Sequence, residues 1–320
     1  MRLLVTGGAG FIGSNFIRHM FGSHPGCEVI NLDLLTYAGN LNNLKGIDNN
    51  PKYSFIKGDI CDLDLVRATL DRFDIDAIVH FAAESHVDRS IADASAFVRT
   101  NVLGTQNLLE GARLHDIPRF IHISTDEVYG STTGGSFRES DILAPSSPYS
   151  ASKAGSDLLA LSYYTTYKLP VIITRCTNNF GPYQHPEKLI PLFVTHLIEG
   201  KKVPIYGSGK NVRDWIYVKD HCQAVEFLLE RGRFGEIYNI AGGNERTNLE
   251  ITDLILKLLE KDSSMIEFVT DRPGHDFRYS LDCSKIHALG WRPRYTFETA
   301  LQETVTWYVQ NEWWWRPLKK

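Results

Sequence analysis

The sequence predicts an α/β protein in which helices cover both faces of a parallel sheet. Over residues 1–175, short apolar runs typical of buried strands alternate with longer segments that repeat apolar residues at helical spacing. This alternation is typical of right-handed β-α-β units, whose strands lie parallel. A glycine-rich turn follows the first strand and polar residues follow several later ones, so candidate binding groups collect beyond the carboxyl ends of the strands.

The elements follow one another in a regular order. We expect strands at 3–6, 29–32, 53–56, 77–82, 120–124 and 171–175. The helices between them are expected at 11–20, 63–73, 95–114 and 148–167. Beyond residue 175 the rhythm changes, because a segment rich in Asn, Gly and Pro precedes shorter elements. We therefore expect residues 1–175, joined by 210–245, to form a larger domain, and 176–209 with 246–320 to form a smaller α/β domain interleaved with it.

Composition excludes several classes of function. The 320 residues carry 34 Lys and Arg against 38 Asp and Glu, a net charge of −4, which does not fit a nucleic-acid binder or a membrane-surface protein. No apolar run is long enough to span a bilayer. Five scattered cysteines without a CxxC pair argue against a disulfide framework, and the 11 histidines show no HExxH spacing. We therefore expect reduced cysteines, no metal and a cytoplasmic location.

The segment TGGAGFIG after the first strand is typical of a dinucleotide site. Its glycines have GxGxxG spacing, read either from Gly8 or from Gly7, with Gly10 and Gly13. Residues without side chains let the backbone turn tightly and approach a pyrophosphate, which the following helix N-terminus favours. Asp33, twenty residues past Gly13, ends the second strand and would accept the adenosine ribose hydroxyls. The pattern predicts a Rossmann-type sheet that binds NAD rather than NADP.

Tyr149 and Lys153 lie four residues apart on a predicted helix and therefore share one face. A lysine ammonium beside a phenol favours the phenolate and lowers its pKa, which would make Tyr149 a usable general base. Such pairs also occur on helices by chance, but here Ser124 and Thr125 end the preceding strand and offer hydroxyls to hold a substrate alcohol. The arrangement predicts oxidation of an alcohol, with its proton taken by Tyr149 and its hydride by NAD.

Several motifs together resemble the extended short-chain dehydrogenase/reductase family. They are TGGAGFIG, HFAAESHVDRS, STDEVYG, YSASK, TNNFGPYQHPEKLIP, RDWIYVKDH, YNIAGGNERTN and DRPGHDFRY, which extend over essentially the whole chain. Asp126 and Glu127 directly after Thr125 are similar to the branch that dehydrates nucleotide sugars, whereas sugar-nucleotide epimerases carry small or uncharged residues there. The resemblance implies a 4,6-dehydratase, with a 4-epimerase or a decarboxylase on the same scaffold as the alternative.

The resemblance implies a reaction in three steps on a nucleoside diphosphate glucose, with dTDP-glucose as the expected substrate. Tyr149 deprotonates the C4 hydroxyl while NAD accepts the C4 hydride. Glu127 then removes the C5 proton, Asp126 protonates the departing C6 hydroxyl, and the hydride returns to C6. Adjacent carboxyl groups disfavour double ionisation, so one of them can stay protonated near neutral pH. A solvated turn is the alternative for this pair, and the residues themselves do not decide between thymidine and uridine.

By the same resemblance, further residues are expected to contact the ligands. The expected catalytic residues are Thr125, Asp126, Glu127, Tyr149 and Lys153. The expected NAD contacts are Gly7, Gly10, Phe11, Ile12, Gly13, Asp33, Asp59, Ile60, Ala82, Thr100, Tyr149, Lys153 and Asn178. The expected nucleotide-sugar contacts are Ser85, Thr125, Glu127, Asn179, Lys188, Leu189, Pro204, Tyr206, Arg213, Asn248, Arg272 and His275. Asp59 as a solvated loop residue and Thr100 as a packing residue are the alternatives, and a homodimer through the helices at 95–114 and 148–167 is also implied.

Overall fold

The computed structural model describes residues 1–270 and 278–319. The strands are β1 (Arg2–Thr6), β2 (Glu28–Asp33), β3 (Tyr53–Lys57), β4 (Ala77–His80), β5 (Phe120–Thr125), β6 (Val171–Cys176), β7 (Asn178–Phe180), β8 (Val203–Tyr206), β9 (Val212–Tyr217), β10 (Ile237–Ile240), β11 (Glu245–Thr247) and β12 (Ile266–Val269). The α-helices are α1 (Phe11–Ser23), α2 (Leu63–Arg72), α3 (Val87–Ala92), α4 (Ser95–Phe97), α5 (Thr105–Leu114), α6 (Pro148–Tyr167), α7 (Leu189–Ile198), α8 (Val218–Arg231), α9 (Asn248–Leu258), α10 (Ser284–Leu289), α11 (Phe297–Gln310) and α12 (Glu312–Trp315).

Seven strands form one parallel sheet in the order β10-β6-β5-β4-β1-β2-β3. The strand order reverses between β1 and β4, and in doubly wound sheets a crevice opens at the carboxyl ends of the strands at such a reversal. The predicted doubly wound α/β fold is confirmed. Each strand predicted before residue 176 is present, with ends within two residues of the expected ones.

Apolar side chains of the large sheet enter two cores, one on each face. On β1, Leu3 and Val5 pack into the first core, while Leu4 packs into the second, because successive side chains of a strand point to opposite faces. β5 and β6 are buried along their whole length. The carboxyl ends of these strands therefore hold the residues that follow them in fixed positions.

α6, which carries Tyr149 and Lys153, has a strong start signal. The Ser147 side chain accepts a hydrogen bond from the backbone N–H of Ser150 at 3.1 Å, and the Ser150 side chain accepts one from the N–H of Ser147 at 3.0 Å. Such a reciprocal cap satisfies two backbone donors, and one cap contributes about 1 kcal/mol. Pro148 occupies the first turn, where its missing N–H costs nothing.

The region predicted as one regular helix at 95–114 contains a widened turn. α4 continues through a π-helical segment, Val98–Gly104, into α5. The hydroxyl of Thr105, the first residue of α5, donates to the carbonyl of Asn101 in this segment at 2.7 Å. π-helical turns occur frequently at functional sites. Here the widened turn carries Thr100, which lines the cleft described below.

Two smaller sheets accompany the large one. β7, β9 and β11 form a three-stranded sheet, and β8 pairs with β12. Within 210–245, β10 joins the large sheet beside β6, whereas β9 lies in the small sheet between β7 and β11. Among residues 1–270 and 278–319, we find no helix with the length and apolar character needed to cross a bilayer.

Candidate active site

A cleft opens at the carboxyl ends of β1, β2, β4, β5 and β6, facing the segment at 176–188. Residues expected to contact NAD line it: Gly7, Gly10, Phe11, Ile12, Gly13, Asp33, Asp59, Ile60, Ala82, Thr100 and Asn178. The five expected catalytic residues line the same cleft, as do Ser85, Asn179 and Lys188 from the expected sugar-nucleotide set. The structure thus brings together residues that lie up to 181 positions apart in the chain.

The glycine turn between β1 and α1 leaves no room for side chains. Gly7 has a φ of 71°, and a Cβ there would lie 2.6 Å from the backbone nitrogen of Ala82. A Cβ on Gly13 would collide with the carbonyl oxygen of Gly7. Gly10 is the residue that precedes α1, so the free N–H groups of the first turn of the helix open beside it. This turn fits the pyrophosphate of a dinucleotide.

Asp33 ends β2 at the rim of the cleft and is 8% exposed. One carboxylate oxygen accepts the N–H of Ala9 and the other the N–H of Leu35, both at 2.8 Å. Each oxygen keeps a lone pair, so the side chain can accept ribose hydroxyls as well. Asp59 at the neighbouring strand end forms an ion pair with Arg99 at 2.9 Å, so it is not simply a solvated loop residue.

Thr125, Asp126, Glu127 and Tyr149 form one group at the cleft. β5 ends at Thr125 and passes directly into a 3₁₀ turn, Asp126–Tyr129. The Thr125 hydroxyl lies 3.2 Å from a carboxyl oxygen of Asp126 and accepts the N–H of Glu127 at 3.3 Å. Tyr149 lines the same cleft, and the Thr125 hydroxyl acts to lower the pKa of its phenol. An alcohol, an acid, a second carboxyl group and a phenol therefore face one point of the cleft.

Asp126 is a fully buried carboxyl group, 3% exposed, and one of its oxygens has no hydrogen-bond partner among residues 1–270 and 278–319. Burial raises its pKa to about 8, and the negative charge of neighbouring Glu127 contributes to the rise. At neutral pH most of this side chain is therefore protonated and can donate a proton. The two carboxyl groups thus occupy different environments, as an acid and base pair requires.

Tyr149 and Lys153 are both buried, 9% and 4% exposed. Burial lowers the pKa of Lys153 to about 8, and its ammonium donates to the carbonyl of Ile123 at 2.7 Å. Burial raises the pKa of Tyr149 well above its ordinary value, and the charge of Glu127 raises it further. For the protein's own residues the pKa of this phenol is thus raised rather than lowered, because desolvation is the largest influence on it.

Unpartnered polar atoms show that the cleft is built for a polar ligand. Among the buried atoms without a hydrogen-bond partner, several belong to residues of its lining: Ser124 Oγ, Asp126 Oδ2, Thr177 Oγ1, Asn178 Oδ1, Gln184 Oε1 and Glu187 Oε1. A buried polar group without a partner costs about 1–3 kcal/mol, so a ligand that hydrogen-bonds to such groups recovers free energy. Together with the glycine turn and Asp33, this lining fits a dinucleotide and a second polar molecule.

Comparison with known proteins decides the family. The family model described as GDP-mannose 4,6 dehydratase matches residues 4–304. A dTDP-glucose 4,6-dehydratase of Streptomyces niveus is 56% identical, over 100% of this chain and 96% of that protein. The chain belongs to the dTDP-glucose 4,6-dehydratase family. The resemblance seen in its motifs is thereby confirmed.

Solved structures agree with this family membership. The dTDP-glucose 4,6-dehydratase DesIV of Streptomyces venezuelae, solved with NAD bound, is 57% identical, has a TM-score of 0.97 and covers 100% of both chains. The UDP-glucose 4-epimerase of Thermus thermophilus is 30% identical with a TM-score of 0.90, over 97% of this chain and 100% of that one. Dehydratase and epimerase thus share the scaffold, and the dehydratase is much closer in sequence.

Several expected sugar-nucleotide residues lie outside the wall of this cleft. Leu189 begins α7, Pro204 and Tyr206 lie on β8, and Asn248 begins α9. Arg213 on β9 is 9% exposed, and its guanidinium lies 4.7 Å from the ring centre of Tyr279. The charge of Arg213 also lowers the pKa of Asp126, so this arginine lies within electrostatic reach of the reaction group. Arg272 and His275 lie outside the described residues.

Sequence reasoning missed a cluster at the cleft. The carboxylate of Glu187 lies 3.7 Å from His86, 3.8 Å from Arg89 and 3.8 Å from His185. The guanidinium of Arg89 lies 3.6 Å from the ring centre of Tyr37. In the sequence, only the position of Tyr37 after β2 indicates this cluster. The segments after β2, after β4 and before α7 meet only in the tertiary fold.

Sequence reasoning also missed Asn101, which braces the cleft from behind. Its side chain accepts the N–H of Glu84 at 2.9 Å and donates to the carbonyl of the same residue at 3.0 Å. It also donates to the hydroxyl of Ser152 on α6 at 2.8 Å. Asn101 therefore ties the loop after β4 to the helix that carries Tyr149. Its place inside the widened helical turn gives no signal in the sequence.

Proposed function

We propose that this protein converts dTDP-glucose to dTDP-4-keto-6-deoxyglucose and uses NAD as a resident cofactor. The observation that carries the proposal is the pair Asp126 and Glu127, joined to Thr125 and Tyr149 at one point of the cleft. From the protein, oxidation of an alcohol needs only the hydroxyl of Thr125 and the phenol of Tyr149. Two further carboxyl groups, one of them protonated at neutral pH, are what the elimination of water requires.

Residues at the carboxyl ends of the strands can hold the cofactor. The glycine turn before α1 would bind the pyrophosphate, and Asp33 the adenosine ribose. Lys153 lies beside Tyr149 and would hold the second ribose. When bound, NAD would supply the hydride acceptor for C4 of the sugar, the hydride donor for C6, and the positive charge of an oxidised nicotinamide ring.

The first step is loss of the C4 hydroxyl proton. Thr125 holds the hydroxyl, and Tyr149 takes the proton. From the protein's own residues the phenol favours its neutral form, so this step depends on positive charge close to the ring. The ammonium of Lys153 is the positive charge that the protein itself supplies there.

The second step removes water across C5 and C6. Glu127 takes the C5 proton, which the new C4 ketone has made acidic, and Asp126 gives a proton to the C6 oxygen, which leaves as water. In the last step Glu127 returns a proton to C5. General acid or base groups of this kind contribute about 10²–10⁴-fold in rate. The cycle closes when Tyr149 releases the C4 hydroxyl proton and Asp126 takes up one proton, so no net proton is consumed. Exchange of the Glu127 proton with solvent before its return puts a solvent hydrogen at C5.

Turnover of dTDP-glucose in D₂O tests this proposal. We expect solvent deuterium at C5 of the product and the original C4 hydrogen at C6, both read by NMR. In the Glu127→Gln variant we expect C4 oxidation without elimination, so that the absorbance of reduced nicotinamide accumulates on the protein. A product that differs from the substrate only in its C4 configuration would show an epimerase and contradict the proposal. Parallel assays with UDP-glucose test the choice of base.

We also propose a division of labour between the two parts of the chain. Residues 1–175 with 210–245 would bind the cofactor, and residues 176–209 with 246–320 would bind the nucleotide part of the substrate. Lys188, which lines the cleft from the second part, supports this division. Lys188→Met should raise the KM for dTDP-glucose more than it changes NAD affinity, measured by kinetics and calorimetry. Equal losses of both affinities would contradict this division.

We propose further that the protein is a homodimer and works in the cytoplasm. Apolar side chains are exposed on neighbouring helical segments, with Val98 at 54%, Leu103 at 45% and Leu158 at 59%. A second copy would cover them by packing helix against helix. Light scattering should give twice the chain mass, and Leu103→Glu should give the monomer mass, whereas Ile142→Glu, at another exposed apolar residue, should not. A monomeric parent protein would contradict the dimer, and cell fractionation tests the location.

A further inference from the structure

A fully buried carboxylate lies one helical turn beyond Lys153. Asp157 is 0% exposed and follows Lys153 by four residues on α6, a spacing that places both side chains on one face of the helix. It does not line the cleft. Its negative charge favours the ammonium form of Lys153, which burial opposes. The mechanism above gives no role to this carboxylate.

Two neighbouring strands hold Asp157 in place. Arg175 Nε on β6 donates to Asp157 Oδ2 at 2.9 Å. His122 Nε2 on β5 lies 3.3 Å from Asp157 Oδ1 and 3.1 Å from Ser156 Oγ. Arg175 is itself 2% exposed and donates from its other end to the phenol oxygen of Tyr129 at 2.8 Å. The carboxylate therefore has little freedom to move away from Lys153.

The titratable groups that face Lys153 come from each element packed against it: His80 on β4, His122 on β5, Cys176 on β6 and Asp157 on α6. Burial lowers the pKa of both imidazoles, that of His122 to about 4, and raises the pKa of the Cys176 thiol to about 12. These three groups are therefore neutral at pH 7. Among the described groups that face Lys153, Asp157 is the anion that balances the cations of Lys153 and Arg175.

We propose that Asp157 is a positioning residue that keeps the ammonium of Lys153 charged at the cleft by balancing the buried cation of Arg175 behind it. A buried charge without a counter-charge is costly, and a lysine can avoid that cost by giving up its proton. Without Asp157, the guanidinium of Arg175 stays charged and Lys153 gives up its proton instead. The inference rests on the proposed function, because that function places Lys153 beside the reacting hydroxyl and the cofactor ribose.

The pH dependence of C4 oxidation tests this inference. Formation of reduced nicotinamide is followed in single turnovers of dTDP-glucose by the full-length protein, across neutral and alkaline pH. Activity that needs the ammonium of Lys153 falls as pH rises. We expect Asp157→Asn to move this high-pH limb downward by about 1–2 pH units. We expect Arg175→Met to move it upward, because Asp157 then balances Lys153 alone.

NAD binding gives a second readout that does not depend on turnover. Calorimetry at neutral and at alkaline pH should show that Asp157→Asn loses NAD affinity more steeply with pH than the parent protein does. Asp157→Glu keeps the charge and should restore the parent limb in both measurements. A purely structural role for Asp157 would lower the melting temperature and leave both pH profiles in place.

Asp220→Asn is the matched control. Asp220 is also a buried aspartate, 2% exposed, but its oxygens accept the N–H groups of Arg294 and Tyr295. This control should lower the melting temperature without moving the pH limb. The inference would be overturned if the protein turns over dTDP-glucose but the high-pH fall in C4 oxidation occurs at the same pH in the parent, Asp157→Asn and Arg175→Met. If Asp157→Asn does not fold, the pH limb of Arg175→Met decides the inference alone. If the parent protein does not oxidise dTDP-glucose, both the proposed function and this inference are overturned.

Discussion

Asp126 and Asp157 are both buried aspartates near Lys153, yet the protein treats them in opposite ways. Burial raises the pKa of Asp126 to about 8, and the charge of Glu127 adds to this effect. Burial also opposes ionisation of Asp157, but the imidazole of His122 and the charge of Arg175 outweigh it and lower its pKa. Burial alone therefore does not fix the state of a carboxyl group.

The difference between the two aspartates follows from their strand partners. Asp157 on α6 packs against the sheet, where Nε of Arg175 on β6 lies 2.9 Å from its carboxylate. Asp126 follows the end of β5, where a neutral hydroxyl contacts one oxygen and the other has no partner. A neutral acid suits a proton donor, and a fixed anion suits the support of a cation. The same type of side chain thus serves two different functions, one in the cleft and one in the layer behind Lys153.

The largest expected effect is the loss of dehydration in Asp126→Asn. Without the proton donor for the C6 oxygen, we expect the rate of product formation to fall about 10²–10⁴-fold. C4 oxidation should continue, so reduced nicotinamide should accumulate. Product NMR and absorbance measure the two effects. Dehydration at the parent rate would show that Asp126 is not the acid.

The same substitution at Asp157 should lower stability in addition to moving the pH limb of C4 oxidation. Asp157→Asn leaves the buried guanidinium of Arg175 without its counter-charge, so we expect the free energy of unfolding to fall by about 3–5 kcal/mol. Denaturant unfolding at neutral pH measures this loss. A loss within measurement error would mean that Arg175 finds another partner, and the contrast between the two aspartates would then lose its physical basis.

A smaller effect of opposite sign is expected for the stability of Asp126→Asn. In the unfolded chain an aspartate ionises near pH 3.9, whereas in the folded protein Asp126 ionises at about pH 8. The contribution of protonated Asp126 to the free energy of unfolding is therefore fully present at low pH and is lost as pH rises to about 8. Asparagine removes this dependence, so we expect a gain of about 3 kcal/mol near pH 6 and almost none near pH 4. Melting temperatures across this range measure the difference.

Local signals in the sequence account for most of the candidate site. The glycines of the first turn, Asp33, the pair Asp126 and Glu127, and Tyr149 with Lys153 all follow predicted strands or share a helix face. Each of these signals depends on spacing within one element or on the carboxyl end of a strand. The same reasoning failed for the widened turn at Val98–Gly104, because hydrophobic periodicity does not separate a π-helical turn from an α-helix.

By itself, the sequence determined the doubly wound sheet, the glycine turn and the residues that meet at its edge, because periodicity and strand order depend on local patterns. Only the tertiary structure decided the protonation of those residues. The neutral state of Asp126, the raised pKa of Tyr149 and the charge balance around Asp157 depend on burial and on partners from distant segments. Desolvation and charge act through space, and the folded chain alone sets the distances over which they act.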